Sequence, residues 1–181
     1  IEARLALTRF LVGSGLGYEA IGVLNAMVEA APGMAGEPEV RGLRGAARAM
    51  VGRFREASAD FSAASVSRDP SARVWQGYIA AQQRDWAEAR RAFSDGARSV
   101  DQFPPVWRAR FATAHARAAL ETGDLGGATE LLAYVFSQDI PAPEQLEGRL
   151  VQARLFETQG DKGRALAVYK AVARAPLDQL A

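Results

Sequence analysis

The sequence predicts an all-α chain arranged as about five antiparallel helical hairpins, and three observations carry that expectation. Alanine makes up about a fifth of the 181 residues, prolines fall between apolar-periodic segments, and β-branched runs with period-two alternation are missing. A stripe of apolar or small residues stepping by three, four and three positions, as one helix face does, recurs five times. In four of the five copies a glycine stands five residues ahead of the second stripe position, where a helix end can take the left-handed conformation.

In chain order the stripes are Gly17, Ala20, Leu24, Met27; Phe54, Ala57, Phe61, Ala64; Trp86, Ala89, Phe93, Gly96; Leu125, Ala128, Leu132, Val135; and Lys162, Ala165, Tyr169, Val172. The alanine in the second slot recurs at intervals of 37, 32, 39 and 37 residues. A small side chain there admits a neighbouring helix, and the large residue four places on fills the space beside it. The preceding glycines are Gly15, Gly52, Gly123 and Gly160, with Arg84 in the third copy. Twelve residues before each alanine stands a second small residue, Gly45, Gly77, Ala116 and Ala153, with Thr8 in the first copy. Prolines close the copies at Pro32, Pro70, Pro141 and Pro176, with Pro104 and Pro105 slightly late in the third. Each unit therefore reads as a first helix, a glycine hinge and a second helix.

First helices are predicted near 2–14, 37–51, 70–83, 104–122 and 143–159, and second helices near 17–30, 53–67, 86–99, 125–137 and 161–175. The connection Ala31–Pro38 is the most flexible-looking and the best candidate for a hinge. No composition shift separates two unrelated domains. We read residues 1–181 as a single repeat domain with units of about 1–35, 36–69, 70–103, 104–141 and 142–178.

These positions together resemble the tetratricopeptide repeat, a helix–turn–helix unit of about 34 residues marked by small residues, an aromatic and a closing proline. Gly45, Gly52, Ala57, Phe61, Ala64 and Pro70 match best in the second unit, and Ala153, Phe156, Gly160, Ala165 and Tyr169 in the fifth. The family's early tryptophan is absent from its usual slot, Trp75 standing two places late. The resemblance implies an α-solenoid wound as a right-handed superhelix. Pro176 to Ala181 resembles the start of another first helix, so we expect this chain to be a piece of a longer bacterial repeat protein.

Composition excludes several function classes. With 22 basic and 21 acidic residues the net charge is +1, so no global field draws the chain to nucleic acid or an anionic membrane. Nearly all the basic residues are arginine, Lys162 and Lys170 being the two lysines, which we attribute to compositional bias. Cysteine is absent, so disulfides, thiolate nucleophiles and zinc knuckles are excluded within these residues. No apolar run is long enough to cross a bilayer, so direct membrane insertion is not expected. No targeting segment lies within these residues, which leaves cytoplasm and periplasm both open.

Reactive chemistry finds no support. The single histidine, His115, has no acid at a helical step of three or four and reads as a packed structural side chain. The serines lack a nucleophile-elbow context. Asp60, Asp69, Asp85, Asp95, Asp101, Asp124 and Asp161 are scattered over helix starts and turns as caps, without the carboxylate cluster a metal needs. Trp86, Phe93, Phe61 and Tyr169 lie on the repeated stripe and read as core. We expect no enzyme activity, no cofactor and no metal.

What remains is the surface. The resemblance implies a concave groove lined by first helices, with the slot after each small residue, Arg9, Ala46, Tyr78, Arg117 and Arg154, facing into it. Further slots by the same count are Glu2, Leu5, Val74, Gln82, Arg110, Thr113, Glu121, Glu147, Leu150 and Glu157. Arg9, Tyr78, Arg110, Arg117 and Arg154 are the candidate contacts, since arginine and tyrosine concentrate at the energetic centres of interfaces. The expected role is a scaffold or adaptor that binds a peptide or helical segment of a partner protein, with no nucleic acid. The alternative is a structural spacer or self-assembly segment of a larger envelope-associated protein, so self-association stays open. The carboxylate-binding lysines and asparagines of chaperone-binding relatives are not matched, because Lys162 and Lys170 lie on second helices and Asn25 is the single asparagine.

The stretch Phe10 to Ala20, FLVGSGLGYEA, imitates a dinucleotide loop, and Glu37 or Glu39 sits where such a fold holds a ribose. That loop needs glycine or alanine where Tyr18 stands, and a strand before it. We read Gly15 as the hinge of the first hairpin and Gly13 as a fraying last turn.

Overall fold

Each hairpin is closed by the same backbone device. The structure, a computed structural model, describes residues 1–176. Among them the chain forms α1 Glu2–Gly13, α2 Gly17–Ala30, α3 Pro38–Met50, α4 Phe54–Phe61, α5 Pro70–Gln82, α6 Trp86–Gly96, α7 Pro105–Glu121, α8 Leu125–Ser137, α9 Ala142–Thr158 and α10 Lys162–Ala173, with no strand. At the end of α1 the Leu16 N–H donates to the Leu11 carbonyl at 2.8 Å and the Gly15 N–H to that of Val12 at 3.1 Å. This pair of bonds satisfies carbonyls that a helix end leaves open, and it requires a left-handed residue. The pair recurs from Arg53 to Arg48 and Gly52 to Ala49, and from Asp85 to Ala80 and Arg84 to Ala81. It recurs again from Asp124 to Ala119 and Gly123 to Leu120, and from Asp161 to Phe156 and Gly160 to Glu157. The left-handed φ is 78°, 77°, 85° and 81° at Gly15, Gly52, Gly123 and Gly160, and 63° at Arg84. The next residue opens the second helix, and Asp124 and Asp161 cap it by accepting from the N–H of Gly127 and Arg164, each at 2.9 Å.

Two compact units are present, Ile1–Ile79 with Ala92–Ser99, and Ala80–Arg91 with Val100–Ala181; the division runs through the third hairpin. In the first unit Leu5, Leu24, Met27 and Val40 form one core cluster, and Leu11, Ala20, Ile21 and Ala47 another. Gly17 lets α2 lie against α3, where a Cβ would stand 2.8 Å from the Val51 side chain and 2.9 Å from the Ala47 carbonyl. The small residues of α3 and α5 lie under rings. A Cβ on Gly45 would meet the Phe61 ring at 2.8 Å, and one on Gly77 the Phe93 ring at 2.9 Å. In the second unit Ala116, Ala119, Leu120, Ala128, Leu132, Val151 and Leu155 join α7, α8 and α9 in one core. There the same register pairs alanine with leucine.

Asp60 departs from the role its sequence position implied. Instead of capping a turn it is buried, 3% exposed, between two arginines of α3. Arg44 donates through Nε at 3.1 Å and Nη2 at 2.7 Å, and Arg48 through Nη1 at 2.6 Å. A carboxylate that deep is tolerable only with its charge and lone pairs matched, so the cluster locks α4 onto α3.

Several other expectations need correcting. Helix α4 stops at Phe61 rather than residue 67: the serines that follow, Ser62, Ser65 and Ser67, have weak helix preference, the backbone turns instead, and the Asp69 carboxylate accepts from the Ser71 N–H at 2.8 Å at the start of α5. Ala64 is consequently exposed and Val66 takes its place in the core. Helix α6 ends at Gly96 and continues as a 3-10 turn, Ala97–Gln102. The connection read as a hinge is the 3-10 turn Pro32–Gly36, with Met34 packed against the Leu5 cluster and the Ala35 carbonyl accepting from Arg44 at 3.4 Å. The expected start of another first helix over 177–181 lies outside the described residues.

Arg84 is the one non-glycine residue at positive φ among the described residues, and left-handed backbone costs a residue with a Cβ roughly 1 kcal/mol. Arg84→Gly should raise stability by about 0.5–1 kcal/mol, seen as a higher urea midpoint at unchanged slope. A lower midpoint would contradict the assignment of strain to this turn.

Candidate functional site

The repeat register places side chains of successive first helices next to one another, and in the second unit this creates a cavity. Helix α7 supplies Arg117, Leu120 and Glu121, helix α9 supplies Leu150, Val151 and Arg154, and helix α10 supplies Tyr169. The cavity measures about 320 Å³. Leu120 and Val151 belong to the core beneath and form an apolar floor, while Leu150 remains 45% exposed at its edge. Arg117 and Arg154 hold the same slot in consecutive hairpins and reach the same cavity. The Arg117 guanidinium lies over the Trp86 ring at 5.2 Å, and the Arg154 guanidinium donates to Glu157 at 2.8 Å. The Glu157 hydrogen bond, its charge and that of Glu121 push the Arg154 pKa further up, so it is a permanent cation.

Tyr169 was read as core from its stripe position, and the structure corrects this. Phe61 and Phe93 hold the same slot and bury their rings over glycines, but Tyr169 stands in register with Ala153 and is half-buried. The hydroxyl is also a group that cannot be buried unpaired. It reaches Glu157 Oε2 at 3.5 Å, and burial followed by the Glu157 charge pushes its pKa up, keeping it a neutral donor. The hydroxyl at a slot otherwise held by phenylalanine or leucine was the available signal.

The remaining candidate residues are placed differently. Arg9 on α1 donates to Glu39 of α3 at 2.5 Å and to Glu2 at 3.0 Å, and these bonds, Glu39 first, raise its pKa. Arg110 donates to Glu144 of α9 through Nη2 at 2.6 Å and Nε at 3.0 Å, and lies over the Trp107 ring at 4.8 Å. It is a tie between first helices. Close by, partial desolvation by surrounding atoms pushes the Glu147 carboxyl above the usual range, opposed by Arg110 and reinforced by Glu144, although the residue as a whole keeps an exposed surface. Tyr78 belongs to the first unit, half-buried and edge-on to Trp75 at 6.0 Å. Ala46, one of the five slots after a small residue, is buried, and so are Leu5, Val74 and Thr113 of the further slots, so they do not face solvent; Glu2, Gln82, Glu121, Glu147, Leu150 and Glu157 are exposed.

The sequence model of the tetratricopeptide repeat matches residues 44–111 and 113–178. The chain belongs to the tetratricopeptide repeat family. Repeats of this family mediate protein–protein interaction and scaffolding. No curated protein matches the chain in sequence. Among solved structures it is similar to the nearly identical TPR-like repeats of a Podosopora anserina protein assigned as a kinesin light chain, at 19% identity and a TM-score of 0.56, covering 95% of this chain and 92% of that one. A single-substitution variant of the same repeats aligns at 18% identity and a TM-score of 0.52, with the same coverage. At these identities the likeness establishes the fold, an all-α solenoid of tetratricopeptide-type hairpins. Among the described residues no group of three or more His, Asp or Glu side chains could hold a metal ion, and no helix is long and apolar enough to cross a membrane.

His115 is half-buried on α7, and its neighbourhood fixes its charge. Burial, then the Arg90 charge, pushes its pKa down to about 4, with Asp124 opposing. Arg90 is itself anchored, donating to Asp124 at 2.5 Å and Thr122 at 3.2 Å. The imidazole is therefore neutral in the fold at pH values where the unfolded chain, titrating near 6.5, already takes up a proton. Its contribution to stability is complete above about pH 6.5 and is lost as pH falls toward 4. Urea titrations of the parent and of His115→Gln between those pH values should show the parent losing stability more steeply. A difference between the two that does not vary with pH would contradict this.

Proposed function

We propose that this tetratricopeptide repeat chain is a non-enzymatic scaffold or adaptor, and that the cavity between α7, α9 and α10 receives side chains of an extended peptide or helical segment of a partner protein. The observation that carries the reading is the cavity's make-up: an apolar floor of Leu120 and Val151 and an exposed Leu150, under the guanidinium heads of Arg117 and Arg154. Apolar floor plus a few convergent polar groups is what anchors and orients a protein ligand. Arginine binds carboxylate in a bidentate fork, so the ligand chemistry that fits is an acidic residue beside an aliphatic or aromatic one. Glu121 and Glu157 on the rim disfavour a polyanion, which argues for a peptide over nucleic acid. Tyr78 is a secondary contact in this reading, while Arg9 and Arg110 act mainly through their glutamate partners.

Selection from a random peptide library against the immobilised chain provides the test. The parent should enrich peptides that pair an acidic with an apolar residue. An Arg117→Glu, Arg154→Glu variant that keeps its circular dichroism and melting temperature should bind them at least about tenfold more weakly, a change of about 1.4 kcal/mol. Undiminished binding by the folded variant would overturn the assignment of the site.

A further inference from the structure

Arg110, Arg117, Arg149 and Arg164 each lie over an aromatic ring, those of Trp107, Trp86, Phe136 and Phe156, at 4.8, 5.2, 4.7 and 4.7 Å from guanidinium to centroid. A ring face attracts the cation but accepts in-plane from none of its N–H donors. In three of these arginines the donors are matched separately: Glu144 accepts from Arg110 at 2.6 Å, Gln152 from Arg149 at 3.2 Å and Asp161 from Arg164 at 2.5 Å. Arg117 differs. Among the described residues nothing accepts a hydrogen bond from it and no carboxylate forms an ion pair with it. Glu121 stands one turn further along α7 on the same face and lines the same cavity, yet the two are not paired.

Arg117 is also an interior position of the array. Trp86, in the hairpin before it, carries its guanidinium, and α9, in the hairpin after it, forms the facing wall of the cavity. A guanidinium that rests on a ring keeps its fork of donors in one orientation, so less freedom is lost when a carboxylate arrives.

Arg154, in the same slot one hairpin later, is in the opposite state. Glu157 accepts from it at 2.8 Å, and the charges of Glu157 and Glu121 both bear on it. An incoming carboxylate there has to displace or share with Glu157, whereas at Arg117 it meets an unoccupied fork.

We propose, resting on the peptide-binding reading above, that Arg117 is the residue that reads the acidic side chain of the partner peptide, that Trp86 positions it, and that Arg154 with Glu157 forms an electrically neutral wall. The cavity then selects one carboxylate beside an apolar residue. A second acidic residue in the peptide, set against Glu121 and Glu157, gains nothing.

Calorimetric titration tests this with two probes, the peptide the parent enriches most strongly and the same peptide with its acidic residue replaced by the corresponding amide. The amide keeps the shape and removes the charge, so the ratio of the two Kd values reports charge recognition apart from packing. The parent should favour the acid form at least about tenfold, and Arg117→Gln should bring the two forms within about twofold. Arg154→Gln combined with Glu157→Gln should keep a preference of at least about fivefold; the two are removed together because Arg154→Gln alone leaves a bare carboxylate at the site. Trp86→Leu should lower the preference at least about threefold, and Trp86→Phe, which keeps a ring under the guanidinium, should restore it. A preference that survives Arg117→Gln, disappears with Arg154 and Glu157, or is unchanged in Trp86→Leu would overturn the proposal and leave the peptide site standing. A parent that enriches no peptide, or binds acid and amide forms alike, would overturn the reading of the cavity and the proposal with it.

Discussion

Everything in these hairpins depends on a small residue of the first helix meeting a large one of the second, sixteen positions later in the chain. Gly45 under Phe61 and Gly77 under Phe93 leave no room for even a methyl group. In the second unit Ala116 and Leu132 share one core with one side chain a methyl larger and the other correspondingly smaller. Interiors are packed to the density of a crystal, so the distance between the two helices is set by the sum of the pair. The left-handed turn then fixes where the second helix begins. Once these two are set, the faces left over for neighbouring hairpins and for partners follow.

Much of this was legible in the sequence because it is local and periodic. The stripe of Ala20, Ala57, Ala89, Ala128 and Ala165 located every second helix, and four glycines located four of the five turns. Arg84 shows that the turn is imposed by its hydrogen bonds and by the packed hairpin, with glycine only the cheapest occupant. What escaped were features decided by tertiary contact. The Asp60 cluster brings together residues twelve and sixteen positions apart on two helices, and no spacing rule distinguishes it from a capping aspartate. The serine-rich end of α4 had stripe periodicity but too little backbone preference to stay helical.

The candidate site was legible in part for the same reason. Counting every third and fourth residue of a first helix samples a wide face, whereas its own second helix and its neighbours leave only a narrow strip. Leu5, Val74 and Thr113 fell on the covered side and Arg117 and Arg154 on the open one. Arginine, attributed from the sequence to compositional bias, has definite work in the structure. Arg44 and Arg48 hold Asp60, Arg73 donates to Asp95 at 2.6 Å, Arg90 holds Asp124 and Arg110 holds Glu144. With so many guanidinium groups matched by carboxylates, within hairpins for Arg44, Arg48 and Arg73 and between them for Arg90 and Arg110, the near-zero net charge is also distributed locally. The cavity between Arg117 and Arg154 is where that matching gives way to an apolar floor.

A double-mutant cycle on Gly45 and Phe61 tests the size rule most directly. If the pair sets the helix spacing, Gly45→Ala alone costs about 1–3 kcal/mol through overpacking, and Phe61→Leu alone costs a similar amount by leaving space. Together they recreate the alanine–leucine pair of the fourth hairpin, so the double variant should be more stable than the sum of the two losses by at least about 1 kcal/mol. Strict additivity in urea unfolding would mean that the two side chains do not set the helix spacing, and would contradict the size rule.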